Sequence, residues 1–340
     1  SGPITIDGGT QGVLTGWGAT SNLGATASTA SSSEITLKGD RFPSGSTASN
    51  IKTTGAVVIE SSADQFSEAV TFTNHTFSGH SSLRIGKSTN QSAVTVSGGS
   101  VSVVNDYNIF GGAITQNAPA TSSAGSILIN PTGNYAGNGA LTATAGTVRI
   151  SGGAAIAPTA AIRALETVTL SGTGAITNSG ATLTSLASSV DVTSRSSTVN
   201  ISAAISAATT VALTASSTVT TSATVAAGTG QVTITSQAAD LSIGGATSGT
   251  SVEMLPKTGY AGAGALTASS GTVRITGGTS IAPGGAIRAT GDITLSGSAA
   301  LTNTGASLTT TAGSISLTST ASTVTVSAAL SAPVDVSLTA

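Results

Sequence analysis

The chain has 340 residues, a formal net charge of -2, 7% charged side chains, 43 glycines and no cysteine. This composition excludes a disulfide framework and a thiolate metal site, and it leaves neither a basic stripe for nucleic acid nor a polybasic patch for a membrane surface. Val, Ile, Leu and Phe supply about a fifth of the residues, which borders on the range of disordered chains, but disorder also needs a high net charge that this chain lacks.

Residues 1–110 hold 12 of the 24 charged residues, all five phenylalanines, the single tryptophan and both histidines. Strand-like alternation occurs at Ile4-Thr-Ile6, Ile35-Thr-Leu37, Val57-Val-Ile59, Val70-Thr-Phe72, Leu83-Arg-Ile85, Val94-Thr-Val96 and Val101-Ser-Val103. The spacing of these pieces is uneven, and turn-rich segments such as Gly8-Gly-Thr-Gln-Gly12 and Pro43-Ser-Gly-Ser46 separate them. This third is expected to be an irregular, capping β-helical region. The start, Ser1-Gly-Pro-Ile, is no charged region followed by an apolar core, and no stretch approaches the length of a membrane span.

From about residue 111 the pattern becomes regular. An apolar-x-apolar triplet begins at Ile127, Val148, Val168, Val190, Val211, Val232, Val252, Val273, Ile293, Ile315 and Val336, in steps of 20 to 22 residues. A strand with one buried face that returns at such a period is one wall of a stacked coil. Shorter pieces such as Ala155-Ile-Ala157 and Ala161-Ile-Arg163 fill the interval, so three strands per turn are expected. The spacing predicts an all-β protein, a parallel β-helix (β-solenoid) of about 21 residues per turn and roughly 16 turns, right-handed by the rule for parallel crossovers. Adjacent turns ~4.8 Å apart would make a rod on the order of 75 Å long. Residues 131–215 return as 256–340 with 50 of 85 positions identical, so the regular region 111–340 contains a 125-residue duplication. Val334-Asp-Val-Ser-Leu-Thr-Ala340 lies within a repeat and carries no polar cap, which is expected to leave strand edges uncovered.

No nucleophile elbow, zinc-protease helix, phosphate loop or nonapeptide calcium repeat occurs, and no cofactor is implied. Glu60, Asp64 and Glu68 form the one carboxylate cluster; β-helix enzymes use outer-wall carboxylates for acid-base work on sugars, whereas four-residue spacing suits a solvated loop. His75 and His80 flank Phe77 and offer two metal ligands, short of the usual set. Trp17 is a ring on which a sugar could stack, or a plug for the open end of the core. The residues beside the ladder valines, among them Thr147/Arg149, Thr167/Thr169 and Ser189/Asp191, give no regular threonine array of the kind that binds ice.

The segments Gly146-Thr-Val-Arg-Ile, Ile162-Arg-Ala-Leu-Glu-Thr-Val-Thr-Leu170 and Ile287-Arg-Ala-Thr-Gly-Asp-Ile-Thr-Leu295, in cysteine-free repeats, resemble the filamentous-haemagglutinin-like large exoproteins of Gram-negative bacteria over residues 111–340. The resemblance implies a secreted or cell-surface right-handed parallel β-helix that serves as a non-enzymatic adhesin stalk. Its expected partner is a host or bacterial surface receptor or glycan, with Trp17, Glu60, Asp64 and Glu68 as candidate ligand-binding residues. Two alternatives are a self-assembling subunit of an extracellular filament or surface layer, and a polysaccharide-degrading β-helix enzyme.

Overall fold

A triplet such as Val148-Arg149-Ile150 turns its apolar side chains to one face of a strand and its polar one to the other. A computed structural model describes residues 2–11, 22–23, 31–42, 50–73 and 75–340, and the chain divides into the units Ser1–Gly172 and Thr173–Ala340. Each unit is a parallel β-solenoid of three walls, and among the described residues the one helical element is the 3-10 turn Gly9–Gln11.

In Thr173–Ala340 every coil gives one short strand to each wall. Val190–Ser194, Val199–Ile201 and Ile205–Ala207 form one coil, and Val211–Ala215, Val219–Thr221 and Val225–Ala227 form the next. The stretch from Thr214 to Val225 is therefore divided among three walls by turns, although its odd-numbered valines share one phase in the sequence. The first-wall register runs Val190, Val211, Val232, Val252, Val273, Ile293, Ile315, Val336, each the Cα partner of the one before it. Eight strands lie on each wall of this unit.

Among the described residues of Ser1–Gly172 the first wall also has eight strands, and the second and third have five each. Beside Ile4–Asp7 and Ile35–Lys38 no described strand joins the second or third wall, and Asn22–Leu23 pairs in parallel with Asn50–Ile51 as a separate two-stranded sheet; the solenoid closes about 14 turns where dividing the length by the period gives roughly 16. The first-wall partners Ile35, Val57, Leu83, Tyr107 and Ile127 follow one another at 22, 26, 24 and 20 residues, so the early coils carry longer loops. Larger side chains occupy the interior there. Phe42 meets Phe66 edge-on at 5.6 Å, Phe72 meets Phe77 at 5.8 Å, and all four are buried.

Apolar inward positions on the regular coils are almost completely shielded: Val148, Ile150, Val168, Val190, Val211 and Leu213 are all buried. Each such side chain contributes about 1.5–3 kcal/mol relative to exposure. Hydroxyls secure many corners by the same device. Ser194 Oγ donates to the Gly174 carbonyl at 2.7 Å and accepts the Ser197 N–H at 3.1 Å, and Ser319 does likewise with Ala299 and Ser322. Where the chain leaves the first wall, Gly152 and Gly153 have φ of 107° and 77°, matched in the second copy by Gly277 and Gly278 at 103° and 74°. Side-chain-bearing residues avoid that region, so these glycines permit the corner. Pro158 and Pro283 end their strands opposite Gly137 and Gly262, at positions where the ladder tolerates a missing N–H.

Two copies of one sequence feature differ at the last coil. Val211 and Leu213 are sealed by Val232 and Ile234, whereas the equivalent Val336 and Leu338 are 40% and 54% exposed. Asn178, wholly buried, donates to the carbonyls of Ala181 and Ala203 and accepts the Ser202 and Ala203 N–H groups. Its equivalent, Asn303, is just as buried, yet neither side-chain polar atom has a partner.

Candidate functional site

On a solenoid wall the inward residues set the register, and the residues between them face outward in columns. In Ser1–Gly172 one first-wall column reads Thr5, Thr36, Val58, Arg84, Asn108, each the Cα partner of the next. Lys38 and Glu60 are partners in the column beside it, and Ala56 and Ser82 in the column on the other side. Together with Glu34 these residues line an open groove of about 550 Å³. Five rungs at ~4.8 Å give it a span of roughly 19 Å along the stack.

Glu60 anchors the groove. Arg84 Nη2 donates to Glu60 Oε2 at 2.6 Å, and Lys38 Nζ lies 3.5 Å from Glu60 Oε1, with 10% of the Glu60 side chain exposed against 40% for Arg84 and 37% for Lys38. The carboxylate is thus engaged at both oxygens while each cation keeps part of its head toward solvent. Glu34 Oε1 accepts the Thr36 hydroxyl at 3.1 Å. The side chains of Thr5, Ser82 and Asn108 make no hydrogen bond among the described residues.

The carboxylates grouped in the sequence are not brought together here. Glu60 ends the strand Ala56–Glu60 and faces the groove, whereas Asp64 and Glu68 are exposed in the following loop and do not line it. Glu68 lies 3.9 Å from Arg41, a contact open to solvent on both sides. Trp17 falls outside the described residues. His75 and His80 are interior groups: His75 stacks on Phe77 at 5.9 Å with Nδ1 3.1 Å from the Thr73 carbonyl, and His80 Nδ1 lies 2.8 Å from the Thr53 carbonyl. Burial pushes both imidazoles below their usual pKa, and the backbone hydrogen bonds only partly offset this. Among the described residues no three His, Cys, Asp or Glu side chains are grouped as metal ligands.

Sequence reasoning overlooked Lys38, Arg84, Thr5, Ser82 and Asn108 as site residues. The signal was present in the middle residues of Ile4-Thr-Ile6, Ile35-Thr-Leu37, Val57-Val-Ile59 and Leu83-Arg-Ile85. Stacked as one column, they place Arg84 beside the end of the strand that carries Glu60. In Thr173–Ala340 the corresponding positions are mostly small: Asp191, Ala212, Thr233, Glu253, Arg274, Thr294, Ser316 and Ser337. Charge on that face is confined to Asp191 and to the adjacent rungs of Glu253 and Arg274, and among the described residues no ion pair forms within the unit. No helix among the described residues is long and apolar enough to cross a membrane. No protein-family profile, curated protein or solved structure matches the chain.

Proposed function

We propose that the chain is a non-enzymatic structural protein of the surface of a Gram-negative bacterium, a β-solenoid adhesin stalk of the filamentous-haemagglutinin-like kind that presents a surface to a receptor or glycan. One observation carries this reading: inward positions of both units are given to an in-register apolar ladder, while Lys38, Glu60 and Arg84 form an ion-paired cluster in an open groove of the outer wall. Hydrolysis of a sugar needs one carboxyl to give a proton and a second group to attack or activate water. Glu60, held between two cations, is suited to positioning those cations, and Asp64 and Glu68 lie outside the groove. The test is to immobilise the full chain on beads, measure their retention on bacterial and epithelial surfaces, and assay the same glycans for new reducing ends. Retention without cleavage is expected. Cleavage would replace this reading with the polysaccharide-degrading one, and absence of retention on every surface would remove the adhesin role.

A further inference from the structure

We propose that the groove on the first wall of Ser1–Gly172 binds a linear, uncharged oligosaccharide. The inference rests on the reading that this protein presents a surface to a glycan, and it names the class of glycan and the place where it lies.

The argument against a charged ligand is the balance of the groove. Lys38 and Arg84 stand against Glu34 and Glu60, and Asp7 is the register partner of Lys38. Both cations close on Glu60, and the lining carries no net charge. The polar groups still open to a ligand are of both kinds. Arg84 and Lys38 keep N–H donors beyond those turned to Glu60, and Glu34 keeps the oxygen that does not accept the Thr36 hydroxyl. The hydroxyls of Thr5 and Ser82 and the amide of Asn108 make no hydrogen bond among the described residues, and each both donates and accepts. Sugar hydroxyls match that set, because every one of them donates and accepts without carrying charge.

The argument for a chain of sugar rings is the order of the rungs. Glu34 and Thr36 lie on one side of the half-buried Ala56 and Val58, and Ser82 and Arg84 lie on the other. An apolar rung between two polar ones suits a pyranose, whose C–H face covers Ala56 and Val58 while its hydroxyls reach the rungs ~4.8 Å to either side. Thr5 and Asn108 repeat the polar groups one rung farther out at each end. A single ring does not reach them, whereas a chain laid along the stacking direction does. Glu60 acts as the positioning residue. Buried beneath the cations, it fixes both heads before a ligand arrives, which limits the ordering cost of binding.

The test is titration calorimetry of the full chain with linear hexamers of glucose, mannose and xylose in both anomeric linkages, with their dimers, and with hexagalacturonate as the charged probe. At least one uncharged hexamer is expected to bind, its dimer about tenfold or more weaker, and hexagalacturonate no tighter than that hexamer. Its affinity should change less than about twofold between about 0.05 and 0.5 M salt, because a ligand without charge has no ionic attraction to screen. Ser82→Ala and Asn108→Ala, which leave the ion pairs in place, should weaken it about threefold each, and Val58→Asp, which sets a carboxylate on the outward apolar rung, about tenfold or more. Arg41→Gln removes an exposed cation that does not line the groove and should leave binding unchanged. Tighter binding of hexagalacturonate, a dimer that binds as well as the hexamer, equal losses in Ser82→Ala and Arg41→Gln, or no uncharged hexamer bound by a chain that is still retained on cell surfaces would overturn this assignment alone. Loss of surface retention itself would instead remove the adhesin reading on which it rests.

Discussion

Leu213 and Leu338 are the same residue in the two copies of the duplicated segment, and they provide a controlled measurement of what coverage by the next coil contributes. Leu213 lies between Val192 and Ile234 in the register and is fully buried; Leu338 has Leu317 on one side and is 54% exposed. Truncation of a buried leucine to alanine costs about 2–5 kcal/mol, comprising the lost transfer energy and a cavity. At Leu338 under half of that side chain leaves water on folding and no closed cavity forms, so a cost of about 1 kcal/mol or less follows. Long repeat arrays need not unfold in one step, because each coil draws its stability from its neighbours. The assay is therefore native-state hydrogen exchange at the amides of Val211–Ala215 and Val336–Thr339, alongside denaturant midpoints. Leu213→Ala should lower the opening free energy of its own and adjacent rungs by at least about 2 kcal/mol. Leu338→Ala should affect only the last rung. Equal costs at the two positions would refute the claim that each rung is stabilised by the coil stacked on it.

The two asparagines should respond with opposite signs. Asn178→Leu strands the hydrogen-bond partners on Ala181, Ser202 and Ala203 and should destabilise by about 2 kcal/mol or more, whereas Asn303→Leu removes a buried amide without partners and should stabilise by about 1 kcal/mol, both read as shifts in denaturant midpoint. His75 and His80 give the first unit an acid sensitivity. Their folded pKa values lie below the usual 6.5, so the unfolded chain binds more protons in that window; stability is full above about pH 6.5 and falls as the pH drops toward the folded values. Exchange at Phe77–His80 measured from pH 7.5 to 5 should rise more steeply than the intrinsic pH dependence, and His75→Phe with His80→Leu should flatten it. Glu60→Gln leaves Lys38 and Arg84 beside a neutral amide. Because both cations are more than a third exposed, water takes up much of the difference, and a loss of about 1–2 kcal/mol is expected in thermal unfolding, against less than about 0.5 for Asp64→Asn or Glu68→Gln.

The fold was legible wherever inward residues were apolar and evenly spaced. Val148, Val168 and Val211 announced the first wall because a branched apolar pair flanking one residue has few other uses in a chain with so little charge. All seven triplets read in residues 1–110 form strands. The third wall was harder to place. The expected piece at Ala161–Arg163 becomes the strand Ile162–Ala164, since so short a strand carries one large apolar residue and alternation cannot say on which side of it the strand continues. Phe77–His80 was missed as a strand because Ser78 and Gly79 interrupt the apolar pattern. The groove was illegible for a different reason. Lys38, Glu60, Arg84 and Asn108 are separated by 22 to 24 residues, and only the register of the second to fifth coils, where loops differ in length, brings them onto one face. The grouping of Glu60 with Asp64 and Glu68 followed proximity along the chain, which a solenoid converts into separation between wall and loop.

That separation explains how one architecture accommodates both a uniform apolar ladder and a local polar groove. Between the two copies, inward pairs keep their apolar character: Val168 and Ile293, Leu170 and Leu295, Val190 and Ile315, Val192 and Leu317. Outward and corner pairs change in kind: Asp191 corresponds to Ser316, Ala212 to Ser337, and the exposed Leu165 and Leu186 to Thr290 and Thr311. A change on the outer face leaves the register untouched, because the ladder is held by backbone hydrogen bonds and inward packing. The outer wall can then acquire large polar residues at a few rungs without cost to the stack. In Ser1–Gly172 it does so at Lys38, Glu60 and Arg84, where the buried carboxylate orders two cations at the surface. A site built in this way is specified by register and chemistry together, so shifting one early coil by a single residue would turn Arg84 inward and dismantle the groove along with the wall.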